Sequence, residues 1–228
     1  MQTKIIGGGV VNPGTELGVD PTFLAARISI RPVEYAQFGQ ILGHYRWSGT
    51  IAAQTLTTAG AVLMAARWAD PSRFCVVQRL SMGLNVTSAL TAAAGIGPFV
   101  TTVQRAYTAR ETTNISANLV PTGNSGKARI LMGSSLLDSI FLSTAAAGIS
   151  GGTRTADAQP ISSLSWSSGL AAAAGQPMDD FVRYDQLSMH PLVLSQNEGF
   201  TVASPTPTPT AGIAVINFVM AWAEVVVY

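Results

Sequence analysis

Ionisable side chains are scarce in this 228-residue chain. Its 13 Lys and Arg and 12 Asp and Glu amount to 11% of residues and a net charge of +1, against about 25% charged residues in an average soluble domain. With 47% of residues apolar, intrinsic disorder is excluded, because a disordered chain combines low hydrophobicity with high net charge. A sum near zero also excludes a basic nucleic-acid binder, which needs a field to gather phosphate. Lysine is the scarcest charge: only Lys4 and Lys127 stand against eleven arginines. Protein surfaces that meet other proteins are depleted in Lys and enriched in Arg, so the bias points to a subunit packed in an assembly.

Cysteine and histidine are almost missing. A single cysteine, Cys75, excludes an internal disulfide and any cysteine-based zinc site, and its apolar setting reads as a buried, inert thiol. The two histidines, His44 and His190, form no HxH, HxxxH or HExxH spacing, so no metal or other cofactor is expected. No signal peptide is visible, since Ile5–Val11 is broken by Gly7, Gly8 and Gly9 and preceded by one lysine. Heptads, internal repeats and long helical periods are also missing. Ala211–Tyr228 approaches the roughly 20 apolar residues of a membrane span. Asn217, Glu224 and the Val and Ile content instead predict a long strand buried on both faces, and no membrane contact is expected.

What fills the chain is small and neutral: Ala, Gly, Thr and Ser make up 96 of 228 residues. Surfaces of this kind fit closely against neighbours but protect a free monomer poorly from association. Residues 1–49 read as an extended arm, punctuated by Gly7–Gly9, Asn12-Pro13-Gly14 and Asp20-Pro21. Within it, Phe23–Ile30 suggests a short strand and Glu34–Leu42 one or two helical turns. Residues 50–228 read as one domain of period-two segments separated by turns. Thr50–Leu56, Ala61–Trp68, Gly97–Tyr107, Ala128–Met132, Gln159–Trp166, Pro191–Leu194, Gly199–Ala203 and the final run are the strand candidates. The clearest is Phe74–Thr87, with Phe74, Val76, Leu80, Met82, Leu84 and Val86 on one face and Gln78 as the exception. Ser134–Ala147 fits either a helix or a strand. Ser167–Gln176 reads as a loop, and Pro205–Pro209 as a stiff connector that cannot sit inside a sheet. About eight strands at this spacing predict an all-β sandwich or barrel.

Motifs that carry chemistry are weak. Gly148-Ile149-Ser150-Gly151-Gly152 matches GxSxG, but no helical pattern follows to form a nucleophile elbow, and a chance match is expected in so Gly- and Ser-rich a chain. Gly123-Asn124-Ser125-Gly126-Lys127 reads as a turn, because Pro121 and Ala128 stand where a phosphate loop needs Gly and Ser or Thr. Asp179, Asp180 and Asp185 form an acidic cluster that reads as a solvated or interface loop, with Arg183 among them. Trp47, Trp68, Trp166 and Trp222 are scattered singly and read as core or interface anchors.

Several stretches together resemble a known family. They are Gly43-His44-Tyr45-Arg46, the strand Val62–Trp68, the long Phe74–Thr87 strand, Thr153–Pro160, and His190–Phe200 ahead of the last strand. This pattern resembles virion structural proteins of tailed bacteriophages, in particular jelly-roll head decoration, or cement, proteins. The resemblance spans residues 43 to 228 and carries no catalytic signature. It implies a jelly-roll body that forms a homo-oligomer, often a trimer, on the capsid surface, with the host cytoplasm as its place of assembly. There it would bridge subunits of the major capsid protein, with no direct contact to nucleic acid. The arm and edge loops would lie across capsid joints, and Arg27, Arg31 and Arg46 are the candidates to pair with capsid carboxylates. The alternatives are a main shell or tail subunit and a virion-surface glycan- or receptor-binding module. A hydrolase built on Ser150 is the weakest reading.

Overall fold

The computed structural model describes residues 43–54, 59–88, 96–166, 175–183, 191–204 and 213–226. The expectations for Phe23–Ile30, Glu34–Leu42 and Pro205–Pro209 lie outside them, as do Arg27, Arg31, Asp185 and His190. The described residues form strands and no helix: β1 (His44–Gln54), β2 (Ala61–Trp68), β3 (Phe74–Ser88), β4 (Ile96–Ala109), β5 (Leu137–Leu142), β6 (Thr153–Ala156), β7 (Ser162–Trp166), β8 (Gly175–Arg183), β9 (Leu192–Leu194), β10 (Glu198–Ser204) and β11 (Ile213–Val225). They build two antiparallel sheets, one ordered β1-β11-β3-β8 with β9 also on β3, the other β5-β2-β10-β4-β6 with β7 also on β4. The fold is an all-β sandwich.

Alternation produces this packing. In β11, Ala214, Ile216, Phe218, Met220 and Trp222 fall on one face because successive side chains point to opposite sides, and all five are buried in the core. Pairing on both edges fixes their height: Phe218 lies between Gly49 of β1 and Met82 of β3, and Trp222 between Tyr45 and Val77. The facing sheet contributes Met64, Ala66 and Trp68 from β2, Phe200 and Val202 from β10, and Phe99 from β4. Burying each of the larger of these side chains stabilises the fold by about 1.5–3 kcal/mol.

The Gln78 exception in β3 has a geometric cause. Ala221 pairs with Arg79 while the next residue, Trp222, pairs with Val77, so Gln78 is an extra residue in a β-bulge. The bulge exchanges the faces of the strand. Leu80, Met82, Leu84 and Val86 point into the core, but before the bulge Cys75 and Val77 do so. Phe74 and Val76, expected beside Leu80, instead join Val193, Ala223 and Val225 in a separate small cluster.

Other expectations also change. There are eleven strands among the described residues rather than about eight. His44–Gly49, read as the end of the arm, belong to β1. Ala128–Met132 is not a strand but a bend and turn. Thr153–Ala156 is a strand, and Ser134–Ala147 resolves into strand β5 rather than a helix. Asp179 and Asp180 sit in β8, not in a loop. The last strand is buried on one face and half-buried on the other as far as Ala221, and becomes buried on both only from Trp222 to Val225.

Deleting Gln78 removes the bulge but leaves Val77 opposite Trp222 and Arg79 opposite Ala221 in unbroken alternation, so Cys75 and Val77 keep facing the core. Urea unfolding is expected to show a loss of less than about 1 kcal/mol for Gln78→Ala, which keeps the extra residue, and the chain lacking Gln78 is expected to fold with Cys75 still unreactive toward a thiol reagent.

Candidate functional site

The end of β11 carries a charged residue into an apolar setting. Glu224 is buried, 1% exposed. Its carboxylate accepts hydrogen bonds from Ser135 Oγ (2.6 Å), the Leu136 amide (2.9 and 3.1 Å) and Trp222 Nε1 (3.2 Å). Burial pushes its pKa up, and those hydrogen bonds and the charge of Arg73 offset the push only in part. Burial, followed by the Glu224 charge, likewise raises the Cys75 thiol and lifts the Tyr45 phenol to about 12. Tyr45 stacks on Trp222 with ring centroids 5.5 Å apart and donates to the Gly133 carbonyl at 2.9 Å.

These contacts pin one loop at both ends. On the incoming side, Arg46 N–H donates to Gly126 O (2.8 Å) and Ala128 N–H to His44 O (2.9 Å). On the outgoing side, Gly133, Ser135 and Leu136 are held by Tyr45 and Glu224. Between them a tight turn, closed by Met132 N–H to Arg129 O at 3.1 Å, displays Ile130 at 73% and Leu131 at 99% exposure. Two adjacent aliphatic side chains thus stand in water on a hydrogen-bonded turn.

Beside this tip the sandwich has an open seam. Among the described residues, β1 has no partner from Ser48 onward on the edge away from β11. The segment around Ser116–Leu119 lies along β5 instead, through Ser116 N–H to Leu142 O and Leu119 N–H to Ile140 O, both 2.9 Å. Between the two edges runs a cavity of about 380 Å³ floored by Trp47, Ile51, Leu119 and Leu142, with a neighbouring one of about 440 Å³ near Arg46 and Pro121. Gly49 makes the floor possible, because a Cβ there would lie 2.2 Å from the Trp47 ring. This edge carries none of the Lys, Pro or inward charges that usually protect a free strand.

The outer face of the other sheet is closed by a polar clasp. Glu111, whose side chain is fully buried, accepts hydrogen bonds from Tyr107 Oη (3.0 Å), Arg154 Nε (2.6 Å) and the Gly152 amide (2.7 Å). Arg67 and Arg154 each place a guanidinium 5.9 Å from the Tyr107 ring centre. Burial, then the charge and hydrogen bond of Glu111, raise the Tyr107 phenol, with Arg154 and Arg67 pulling the other way. Arg67 and Arg110 both bind Asp138, each at 2.6 Å. Burial alone would raise the Asp138 carboxyl, but the two guanidiniums outweigh it and hold it below its ordinary range. Tyr107 lies flat here because Gly199 has no Cβ to meet its ring. Each oxygen of Glu111 already has a donor, so the cluster fastens the loop onto the sheet and offers no free base.

The residues singled out in the sequence are not brought together. Arg46 is exposed on β1 beside the seam. Ser150 pairs in an isolated bridge with Thr113 and is followed by strand β6, so the strand–turn–helix of a nucleophile elbow does not form there. Gly123 and Gly126 take positive φ of 59° and 69° in a turn. Asp180 receives Arg79 at 3.0 Å and a short hydrogen bond from Ser81. Trp68 and Trp222 are core residues. No group of three His, Cys, Asp or Glu among the described residues is placed to hold a metal ion, and no helix among them is long and apolar enough to cross a membrane. The residues that sequence reasoning missed are Glu111, Glu224, Ile130 and Leu131. Gly126 and Gly133 bracketing Ala128–Met132 were the available signal that this apolar run turns rather than extends. Comparison with models of protein families, with curated proteins and with solved structures found no match for the chain.

Glu111→Ala leaves Arg154 buried without its partner, and a loss of about 3–5 kcal/mol is expected in urea unfolding. Glu224 binds its proton more tightly folded than unfolded. It therefore makes stability fall as pH rises from its ordinary value of 4.5 through the raised one. Asp138 acts oppositely, losing its contribution as pH falls through its lowered value. Glu224→Gln is expected to remove the decline on the rising side and leave the acid-side loss unchanged, as read from denaturation midpoints across pH.

Proposed function

We propose that this chain is a non-enzymatic structural subunit of a virion, a jelly-roll decoration or cement protein that oligomerises and bridges subunits of the major capsid protein. The observation that carries the reading is the pinned Ile130–Leu131 tip: an aliphatic pair held rigidly in water needs a protein surface to cover it. The low-charge, Arg-biased composition supports it, since both features suit surfaces that stay covered. The strand order supports the jelly-roll part. If β1, β2, β3 and β4 are the first four strands, β11 and β10 return between them, giving β1-β11-β3-β8 opposite β2-β10-β4-β6, the arrangement of two Greek keys in two sheets. β5 is then an addition at one edge.

Bridging works through area and repetition. A stable interface needs about 1,200–2,000 Å², and many copies around a shell add avidity. Arg46, exposed next to the seam, and Arg27 and Arg31 in the first 49 residues would supply charge-assisted contacts to capsid carboxylates.

The test is co-sedimentation with capsid shells assembled without this subunit. Wild type is expected to load onto preformed shells, with Arg46→Glu weakening binding about tenfold and removal of residues 1–30 weakening it further. Full occupancy by the truncated chain would reject the arm's role. Shells formed by the purified chain alone would make it the shell subunit instead.

A further inference from the structure

The tip and the seam are complementary, and one copy cannot satisfy both. The seam has an apolar floor made by Trp47, Ile51, Leu119 and Leu142, beside an edge of β1 that no described residue pairs. The tip offers two branched aliphatic side chains with no cover. Within a single copy the tip does not enter the seam, whose lining includes none of residues 129–132. Its incoming segment is tied to β1 through Arg46 and His44, and its outgoing segment to Tyr45 and Glu224. Leu131, at 99% exposure, touches almost nothing of its own chain. The bonds that deny it an internal partner also hold it in a fixed shape, so little conformational freedom is lost when a partner covers it.

We propose that the Ile130–Leu131 tip of one copy docks in the seam between β1 and the Ser116–Leu119 segment of a second copy. This rests on the reading of the chain as an assembling subunit and names the surfaces by which it assembles. The occupant is a second copy because the chain itself displays the matching feature, pinned where only another molecule can receive it. Docking fills the gap where the two sheets part and covers the unprotected edge of β1 from Ser48 to Ala52. A knob and a hole at different places on one surface make a reciprocal two-fold pair, a closed ring or an open filament, according to the rotation between copies.

Cysteine pairing tests this directly, because the native Cys75 is fully buried and does not interfere. Leu131→Cys and Ser48→Cys are made in separate full-length chains, mixed, and oxidised. Each carries one new thiol, so a disulfide between positions 131 and 48 forms only between copies. Under the proposal this heterodimer is the main product. Leu131→Asp, an exposed substitution whose unchanged circular dichroism verifies folding, then weakens self-association by about 100-fold or more in sedimentation. An oligomer that survives Leu131→Asp and gives no 131–48 disulfide overturns the docking while leaving an assembling subunit intact. Loss of the oligomer on removal of residues 1–42, with Leu131→Asp without effect, also overturns it and assigns the seam to the N-terminal segment. A wild-type chain that stays monomeric and ignores capsid shells overturns both readings.

Discussion

Strand β11 is hydrogen-bonded along both edges, to β1 on one side and β3 on the other, and its register constrains most of what surrounds it. Five alternate residues, from Ala214 to Trp222, form the inner face of one sheet. The bulge at Gln78 is the accommodation β3 makes to keep Cys75 and Val77 opposite that face. Past Trp222 the strand is buried on both sides and brings Glu224 under the segment that follows the tip. The same pairing that builds the core thus anchors the exposed loop.

Two buried carboxylates act alike in different places. Glu224 fastens Ser135 and Leu136 to the end of one sheet, and Glu111 fastens Gly152 and Arg154 over the outer face of the other. A buried ion pair gains little net stability over a hydrophobic replacement, but removing one partner is costly. What such groups provide here is a fixed position for long connections that a flat, neutral surface would hold poorly. The described surface also carries an exposed aliphatic turn and an open seam.

Much of the fold was legible because period-two burial leaves a direct trace in the residues. Ala61–Trp68 matches β2 end to end, Phe74–Thr87 falls one residue short of β3, and the final apolar run contains β11. Where the trace failed, two physical effects were responsible. A bulge reverses the faces without changing the residue types, so Phe74 and Val76 read as core partners of Leu80 when they lie on the other side. An apolar run bracketed by glycines has the composition of a strand whether it extends or turns, so Ala128–Met132 read as a strand when it turns and its tip is the most exposed apolar point described.

The sequence by itself determined an all-β, low-charge chain with one buried thiol and no metal-binding spacing, because these follow from composition and local alternation. Tertiary structure alone decided which polar groups became fasteners and where the surface was left incomplete. Glu224 meets Ser135 across 89 residues and Arg154 meets Glu111 across 43. Contacts at such separations depend on strand order and register, which no local pattern of residues encodes.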